Sequence, residues 1–438
     1  MKRWLVGLSS VAVLCAVSPA VARAEGFSWR WGTDVRAHYR DSDAFSVLSP
    51  FQFPTGQPVV RIETADPGQH NEFSLVSLFL EGNWSDRFTV KLKVDAVDLH
   101  DRNPTSTDRE VDVDEIWLRW GRETAPGFIP ETPSGYLKVG KFAKFERQED
   151  RHLESYGLAA TAFNRFEDAG LEAGFDLGRR VYVKASYTTG NPVFIRDPNA
   201  LAGDNGTPPL RQPAADTEFG SGVVILYDTE IEGFDFDEPE LGLGLGVRLG
   251  DDAAHRSAEL QFWGYQRKLA ERVELNGTFY GGDLDTLDGP APGFGLPITD
   301  DDKREFGANL WVYWGGLTIF GQYVDQEIAG MSRVGYDLEA AWAFELPLVW
   351  AAGGKQLFPR LQPVVRKSYL DPDFVGGGRY PAASVRWEWD KLDLGLRVTI
   401  LEGLDVTLEQ DQNEFILTNG THGKEDETLV TVRWRFGR

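Results

Sequence analysis

Residues 429–438, at the end of the chain, read LVTVRWRFGR, and apolar side chains alternate there with polar ones. The apolar set is Val430, Val432, Trp434 and Phe436, and the polar set is Thr431, Arg433 and Arg435. Successive side chains of a β-strand point to opposite faces, so this stretch predicts a strand with one apolar face and one charged face. A sheet over a soluble core shows this pattern, and so does a barrel wall between lipid and water. The rest of the sequence has to decide between them.

The first 24 residues have the features of a secretory signal peptide. Lys2 and Arg3 precede the apolar run WLVGLSSVAVLCAV, and small residues at 22–24 place a cut before Glu25. The only cysteine, Cys15, lies inside this segment and follows a leucine, which does not fit a lipoprotein signal. We therefore expect a signal peptide at 1–24 and a mature chain, 25–438, without disulfides or thiol chemistry.

The charge and hydropathy of the chain narrow its class. The net charge is −23, and residues 1–24 carry only basic side chains, so the mature chain is more acidic still. Nucleic acid is excluded as a partner because its recognition needs a basic surface. Beyond the signal segment, no stretch reaches the roughly 18 apolar residues of a spanning helix. An outer-membrane barrel and a secreted or periplasmic β protein remain.

Alternating segments of about ten residues, ended by Gly, Pro, Asp or Asn, recur along the whole chain. Clear examples are RFTVKLKVDAV, ELGLGLGVRLG and KLDLGLRVTI. Further candidate strands lie at 27–39, 72–84, 111–122, 135–146, 168–177, 180–190, 219–229, 257–268, 271–281, 304–315, 316–327, 333–346, 359–370, 404–415 and near the end. The count is about 18 if ASVRWEWDKLDLGLRVTI is one long strand, 19 if Asp390–Lys391 is a turn, and 16 if the boundaries shift by a few residues. We predict an all-β, transmembrane, antiparallel barrel of 16–18 strands.

The connections and the aromatic residues support a barrel. Tight connections such as NWSDR and DLGRR alternate with long ones at 41–71, 147–166, 191–218 and 282–303, which predicts short periplasmic turns and long extracellular loops. Aromatic residues make up 12% of the chain and gather at strand ends, as the girdles of a membrane barrel do. A soluble sandwich or propeller is the alternative, and it accounts poorly for so many uninterrupted apolar faces.

If the apolar faces meet lipid, the alternate residues face a water-filled lumen, where charged side chains set ion preference. The basic residues predicted to line the pore in this way are Lys91, Lys93, Arg360, Arg366, Arg386 and Arg397. Segment 147–166 mixes charges with the small residues of 157–162, which suits a loop folded into the lumen as a constriction. Its candidate residues are Arg147, Arg151, Glu154 and Arg165. A solvated outer loop and charges that merely brace the wall are the alternatives.

Signs of catalysis or of a bound metal are few. The histidines are scattered without zinc-ligand spacing, and no serine nucleophile motif is present. His152, near Asp150 and Glu154, is the best candidate for a hydrolase dyad, although a charged loop brings such residues together by chance. The acidic residues of 283–302 match no defined calcium loop. We therefore predict no catalytic residue, no metal and no cofactor.

Three segments together resemble the phosphate-selective porin O and P family. They read VDVDEIWLRWG (111–121), GYLKVGKFAKFE (135–146) and FNRFEDAGLEAGFDLGRRVYVKASYTTGN (163–191), and the closing strands of 394–437 are similar too. The resemblance implies a trimeric barrel of about 16 strands with a lysine-lined anion path, in which Lys138 joins the pore-lining set. The acidity of the chain departs from the family, so phosphate selectivity is not carried over. The alginate-export barrels, with 18 strands, are the runner-up.

The sequence thus predicts a porin of the Gram-negative outer membrane and not an enzyme. Its expected role is passive diffusion of small hydrophilic, charged solutes, and its expected surroundings are outer-membrane lipid and lipopolysaccharide. Three alternatives stay open. An exporter of an anionic polysaccharide would place Lys91, Arg360 and Arg366 along one wall. An outer-membrane hydrolase would depend on His152, and a secreted β-sheet binding protein would be soluble.

Overall fold

A computed structural model provides the structure of the chain. The residues it describes are 26–43, 45–48, 61–63, 68–85, 87–97, 111–148, 151–163, 167–190, 193–195, 226–228, 236, 238–251, 256–269, 272–275, 281–283, 297–347, 350–352, 354–373, 387–417 and 419–437. The predicted signal peptide, Arg165 and Arg386 lie outside these residues.

Sixteen of the described strands form one antiparallel wall, which we number in chain order. They are β1 (Phe27–Ser42), β2 (Gly68–Trp84), β3 (Phe88–Val97), β4 (Val111–Gly121), β5 (Gly135–Ala143), β6 (Glu167–Asp176), β7 (Val181–Thr188), β8 (Glu240–Asp251), β9 (Arg256–Lys268), β10 (Asp302–Trp314), β11 (Leu317–Ile328), β12 (Met331–Trp342), β13 (Arg360–Asp371), β14 (Glu388–Leu401), β15 (Leu404–Ile416) and β16 (His422–Gly437). The pair Phe344–Glu345 continues β12 along β13.

Each strand of the wall pairs with its neighbours in the chain, and the first strand pairs with the last. The register of β1 against β16 runs from Gly32 opposite Gly437 to Ser42 opposite Glu427. This pairing closes the wall into a barrel and leaves it without a free edge, which is how membrane barrels satisfy their backbone hydrogen bonds. The fold class predicted from the alternation is confirmed.

The structure explains why 16 strands form the wall when the sequence offers 18 candidates. Of candidate 219–229, the described part is a three-residue strand, Leu226–Asp228. Of candidate 271–281, the described parts are Arg272–Leu275 and the beginning of Gly281–Asp283. These short strands, together with Val193–Ile195, form a separate four-stranded sheet built from two of the long connections. Two further small hairpins, Ser46–Leu48 with Arg61–Glu63 and Trp350–Ala352 with Lys355–Leu357, also lie outside the wall.

The connections differ between the two ends of the barrel. One end carries mostly tight turns, such as 177–180, 315–316 and 402–403, and both β1 and β16 reach this end. The other end carries the long connections 43–67, 189–239 and 269–301. In membrane barrels the short turns are periplasmic and the long loops extracellular. Two connections at the short-turn end are longer than the others there, namely 122–134 and the connection between β12 and β13.

The outer face of the wall is apolar, and the aromatic residues mark its short-turn rim. Large exposed side chains at mid-strand include Leu243, Leu245, Leu394, Leu408 and Val432. At the short-turn end the exposed side chains include many tryptophans, namely Trp29, Trp31, Trp84, Trp120, Trp314, Trp342 and Trp434. An apolar band with an aromatic girdle is the exterior of a transmembrane barrel. Val432 and Trp434 lie on this face while Thr431 and Arg433 point inward, as the opening stretch predicts.

The inner face is polar, and one segment of chain fills part of it. The residues between β5 and β6 include the helix α1 (Leu158–Ala162), which packs against β11, β12 and β13 inside the barrel. Among the described residues, no helix is long and apolar enough to cross a membrane.

Candidate functional site

The described part of the connection between β5 and β6 folds into the lumen and is fixed to the wall at several points. We name this part, residues 144–148 and 151–163, the inner loop. It starts where Lys144 forms an ion pair with Glu240 and stacks over the ring of Tyr265 at 4.3 Å. The buried Glu146 accepts a hydrogen bond from the hydroxyl of Tyr265, and its carbonyl accepts one from Gln322 at 3.1 Å. These contacts hold the beginning of the inner loop against β8 to β11.

Buried carboxylates and cations attach the middle of the inner loop to strands β13 to β15, which we call the far wall. The backbone N–H of Ser155 donates to Glu409 at 3.2 Å. Arg366 donates to the carbonyl of Ser155 at 2.9 Å and to its hydroxyl at 2.7 Å, while its Nε bonds to Asp393 at 2.7 Å. The carbonyl of Tyr156 accepts a hydrogen bond from Lys391 at 2.8 Å. Because every partner here is buried, the loop is part of the packed interior and not a solvated flap.

Small residues allow the end of the inner loop to lie close to the wall. Ala159 and Ala162 of α1 are fully buried. The backbone N–H groups of Ala159 and Ala160 donate to the carboxylate of Asp337 at 3.2 and 3.3 Å. A Cβ on Gly157 would lie 2.2 Å from that carboxylate, so glycine is required at this close approach. The small residues noted in the sequence therefore serve packing.

Glu154 carries the one carboxylate of the described inner loop that sits between two arginines of the wall. Its oxygens lie 3.0 Å from Arg36 on β1 and 3.8 Å from Arg433 on β16. Asp34 lies against the same two guanidinium groups, at 3.0 and 2.6 Å. Burial opposes ionisation of Glu154, but the charges of Arg36 and Arg433 outweigh it and lower its pKa to about 2. The loop carboxylate is therefore charged at neutral pH.

Strands β3 and β4 present paired charges to the lumen. Lys91 lies 2.7 Å from Glu115, and Lys93 lies 2.6 Å from Asp114. The register of β3 and β4 shifts at Lys93, so that Asp114 is an extra residue in β4 and a β-bulge. The bulge turns two consecutive carboxylates toward the lumen, one for each lysine. Lys91 and Lys93 remain about one quarter exposed, at 24 and 26%.

Further along β4, Trp117 and three cations form a second group. The indole N–H of Trp117 donates to Glu115 at 2.7 Å. Lys91, Arg119 and Lys138 lie 5.5 to 5.8 Å from the centre of its ring, within the range of cation–π attraction. The ring thus spaces the cations of three neighbouring strands along the wall.

The exposed fractions of the inward-facing charged side chains show which part of the lumen water reaches. The inner loop covers the cations of the far wall, because Arg366 is 2% exposed and Lys391 is fully buried. Arg36 on β1, Lys91 on β3 and Arg119 on β4 keep between about one tenth and one quarter of their side-chain surface exposed. The more exposed of these charged side chains therefore lie on β1, β3 and β4, and both signs of charge are among them.

The predicted site residues fall into three groups. Lys91, Lys93 and Lys138 lie together on β3 to β5. Arg366 faces inward but is covered by Ser155, and Arg360 pairs with Glu345 at 2.8 Å in an exposed position at the short-turn end. Arg397 also lies toward that end, 2.8 Å from Asp405. Lys91, Arg360 and Arg366 therefore do not form the single basic wall that a polysaccharide exporter would need. Arg165 and Arg386 lie outside the described residues.

The predicted constriction residues that are described do belong to the inner loop. Arg147 forms an ion pair with Glu167, and Arg151 lies over the ring of Tyr156 at 3.4 Å. Sequence reasoning missed Trp117, Arg119, Glu123 and Lys184. Alternation signals the inward face of Arg119 and Lys184, but their convergence depends on strand neighbours that are distant in sequence.

The side chain and the backbone of His152 both bond to the barrel wall. Its Nδ1 lies 2.8 Å from Glu339 on β12, and its backbone N–H donates to the same carboxylate at 3.2 Å. Its described partner is therefore neither of the neighbours in sequence that a dyad would use. Within the described ranges, no group of three or more His, Cys, Asp or Glu side chains could hold a metal ion.

A closed, sixteen-stranded barrel with an apolar exterior, an aromatic girdle and a loop folded into a charged lumen has the architecture of outer-membrane porins. Many solved structures are similar to it. The outer membrane channel DcaP of Acinetobacter baumannii aligns with a TM-score of 0.54 at 10% identity, over 96% of this chain and 99% of that one. OprB of Pseudomonas putida aligns with a TM-score of 0.50 at 8% identity, over 94% of each chain.

These likenesses bear on the fold, and the sequence comparisons add no family. No family model matches the chain, and no curated protein matches it. The prediction of an outer-membrane barrel is confirmed, with 16 strands. The narrower resemblance to the phosphate-selective porin O and P family is not confirmed.

Proposed function

We propose that the protein is a porin that lets small hydrophilic, charged solutes diffuse passively across the outer membrane. The observation that carries the proposal is the division of the lumen. The inner loop is bonded to β6, to β8 to β16 and to β1, while charged side chains of β3 and β4 keep part of their surface exposed. A hydrated path with fixed charges lowers the barrier for ions without any chemical step.

The proposal includes the predicted surroundings of the channel. Residues 1–24 would direct export and be removed, outer-membrane lipid would cover the apolar band, and lipopolysaccharide would surround the long connections. Association as a homotrimer is supported only by the family resemblance. Chemical cross-linking of the purified protein in detergent would show a ladder ending at three copies if this part is right, and a single band if the barrel acts alone.

The test of the channel is conductance in planar bilayers. Purified, folded protein should add current in uniform steps. A variant in which 147–163 is replaced by a short Gly–Ser linker should give larger steps, because the inner loop occupies part of the cross-section. Slower migration on a detergent gel after boiling confirms that both proteins are folded barrels. Folded protein that leaves the bilayer silent would overturn the proposal.

A further inference from the structure

The connection between β4 and β5, residues 122–134, reaches across the short-turn mouth of the barrel. Its Gly127 N–H donates to Glu259 of β9 at 2.9 Å. Gly127 also packs on Tyr313 of β10, where an added Cβ would lie 2.2 Å from the ring. Strands β5 to β8 separate β4 from β9 in the wall, so the connection spans the mouth as a chord. It is held by specific contacts at a place where most connections of this barrel are tight turns.

At the start of this connection, Glu123 forms ion pairs with three cations from three different strands. Its oxygens lie 3.2 Å from Arg119 on β4, 3.1 Å from Lys138 on β5 and 3.3 Å from Lys184 on β7. One further carboxylate, Glu172, lies 3.0 Å from Lys138. The group therefore holds three positive and two negative charges. Without Glu123, it would keep an excess of two positive charges.

The three cations are held in place by groups other than Glu123. Lys138 lies over the rings of Trp117 and Tyr136 at 5.6 and 5.4 Å, and Arg119 lies 5.5 Å from Trp117. Lys184 lies 5.9 Å from the ring of Phe145 and 6.0 Å from that of Tyr182. All three cations and Glu123 keep a fraction of exposed surface, from 9 to 22%. The site is thus preorganised for a carboxylate and can be reached from the lumen.

The carboxylate of Glu123 suits this site in its charged form. Burial disfavours the anion, but Lys138, Lys184 and Arg119 more than compensate and hold the pKa of Glu123 well below its usual range. Glu123 is carried on a connecting segment, whereas the cations it meets are carried on strands. An ion pair of this kind, with a tethered partner, can open without any change in the wall.

We propose that Arg119, Lys138 and Lys184 form a binding site for a small carboxylate anion, and that Glu123 occupies this site as an intramolecular ligand. A permeating carboxylate competes with Glu123 on its way through the short-turn end. The inference rests on the proposed channel function and adds to it a ligand class, a site and a built-in competitor. A tethered competitor raises the ligand concentration needed for half occupancy, because its tether keeps it beside the site.

The test compares Glu123→Gln with Glu81→Gln. Both changes remove one lumen-facing carboxylate near the same end, but Glu81 pairs with the single, exposed Arg30 at 2.7 Å. Potassium acetate is titrated into potassium chloride on both sides of a bilayer that holds one channel. In Glu123→Gln, the acetate concentration that halves the acetate-dependent change in conductance should be about tenfold lower than in the wild type, since the competitor is gone. In Glu81→Gln it should equal the wild-type value.

The double variant Glu123→Gln, Lys184→Gln should lose most of this gain, because one of the three cations is removed. A second readout needs no current. The line width of ¹³C-acetate in NMR should broaden with folded Glu123→Gln in detergent micelles more than with Glu81→Gln. Equal acetate responses of the two single variants in both measurements would overturn the proposal. A wild-type protein that binds acetate but does not conduct would instead defeat the channel function.

Discussion

At the scale of single residues, the position of Glu154 between two arginines has a consequence for stability. Its folded-state pKa of about 2 lies below the ordinary value of 4.5. Above pH 4.5 the carboxylate is ionised in the folded and the unfolded chain, and its contribution to stability is complete. As the pH falls from 4.5 toward 2, the unfolded chain takes up the proton first and the contribution is lost.

We therefore predict that the loss of unfolding free energy in Glu154→Gln is largest above pH 4.5 and shrinks as the pH falls toward 2. Urea unfolding in detergent micelles at several pH values, followed by tryptophan fluorescence, measures it. Glu131→Gln makes the same charge change at an exposed position of the connection 122–134 and should leave the pH profile unchanged. A constant difference between Glu154→Gln and the wild type across this range would contradict the assigned ion pairs.

Residue-level reasoning from the sequence could predict which way a side chain points, but not what it meets. Alternation places Arg433, Lys91 and Lys93 correctly on the inner face, because the period of a strand is local. It gives no sign of the bulge at Asp114, which depends on the register with β3. The partners of Glu154 lie more than one hundred residues away in the chain, so no local pattern names them.

At the scale of elements, the inner loop depends on Arg366. Replacing Arg366 by methionine leaves the carbonyl of Ser155 without this donor and Asp393 without its bond to the Nε. Breaking a buried ion pair costs about 3–5 kcal/mol. We predict that Arg366→Met loosens the inner loop, which will appear as several-fold more frequent brief closures in single-channel records.

Arg360→Met is the matched control, since it removes an arginine from the same face of β13. The side chains of Arg360 and Glu345 are 50 and 66% exposed. Exposed ion pairs of this kind contribute about 1 kcal/mol or less to stability. Its records should match those of the wild type. Closures equally frequent in both variants would show that Arg366 does not anchor the loop.

The elements also show where the sequence stops being informative. Residues 226–228 and 272–275 are strands, as their alternation and composition predict, but they pair with each other and not with the wall. Strand propensity predicts that a segment joins a sheet, but it does not predict which sheet. The inner loop was foreseeable as a charged segment with small residues, whereas the side of the lumen that it covers depends on carboxylates such as Glu409, far along the chain.

At the scale of the whole molecule, the apolar exterior predicts how the barrel responds to a misplaced charge. Leu245 lies at the middle of β8 and Leu249 near its short-turn end, and both face outward. In a bilayer, arginine costs about 2–4 kcal/mol at the midplane and about 0–1 kcal/mol near the interface. We predict that Leu245→Arg lowers the folded fraction in liposomes far more than Leu249→Arg does.

The heat-modifiable gel shift measures the folded fraction for both variants under the same conditions. If the apolar face packed against the interior of the protein instead, the loss of folded protein would depend on how buried each leucine is and not on its depth in a bilayer. Similar losses for the two variants would therefore contradict the membrane orientation of the barrel.

The pairing of β1 with β16 has a consequence for biogenesis. The wall stays an open sheet until β16 is in place, since β16 is the partner of β1. A product of premature termination before His422 would expose two unsatisfied backbone edges, one on β1 and one on β15, in a lipid phase that offers no substitute donors. Such a fragment cannot seal itself, so translation errors near the end of the message should yield degraded polypeptide rather than leaky pores.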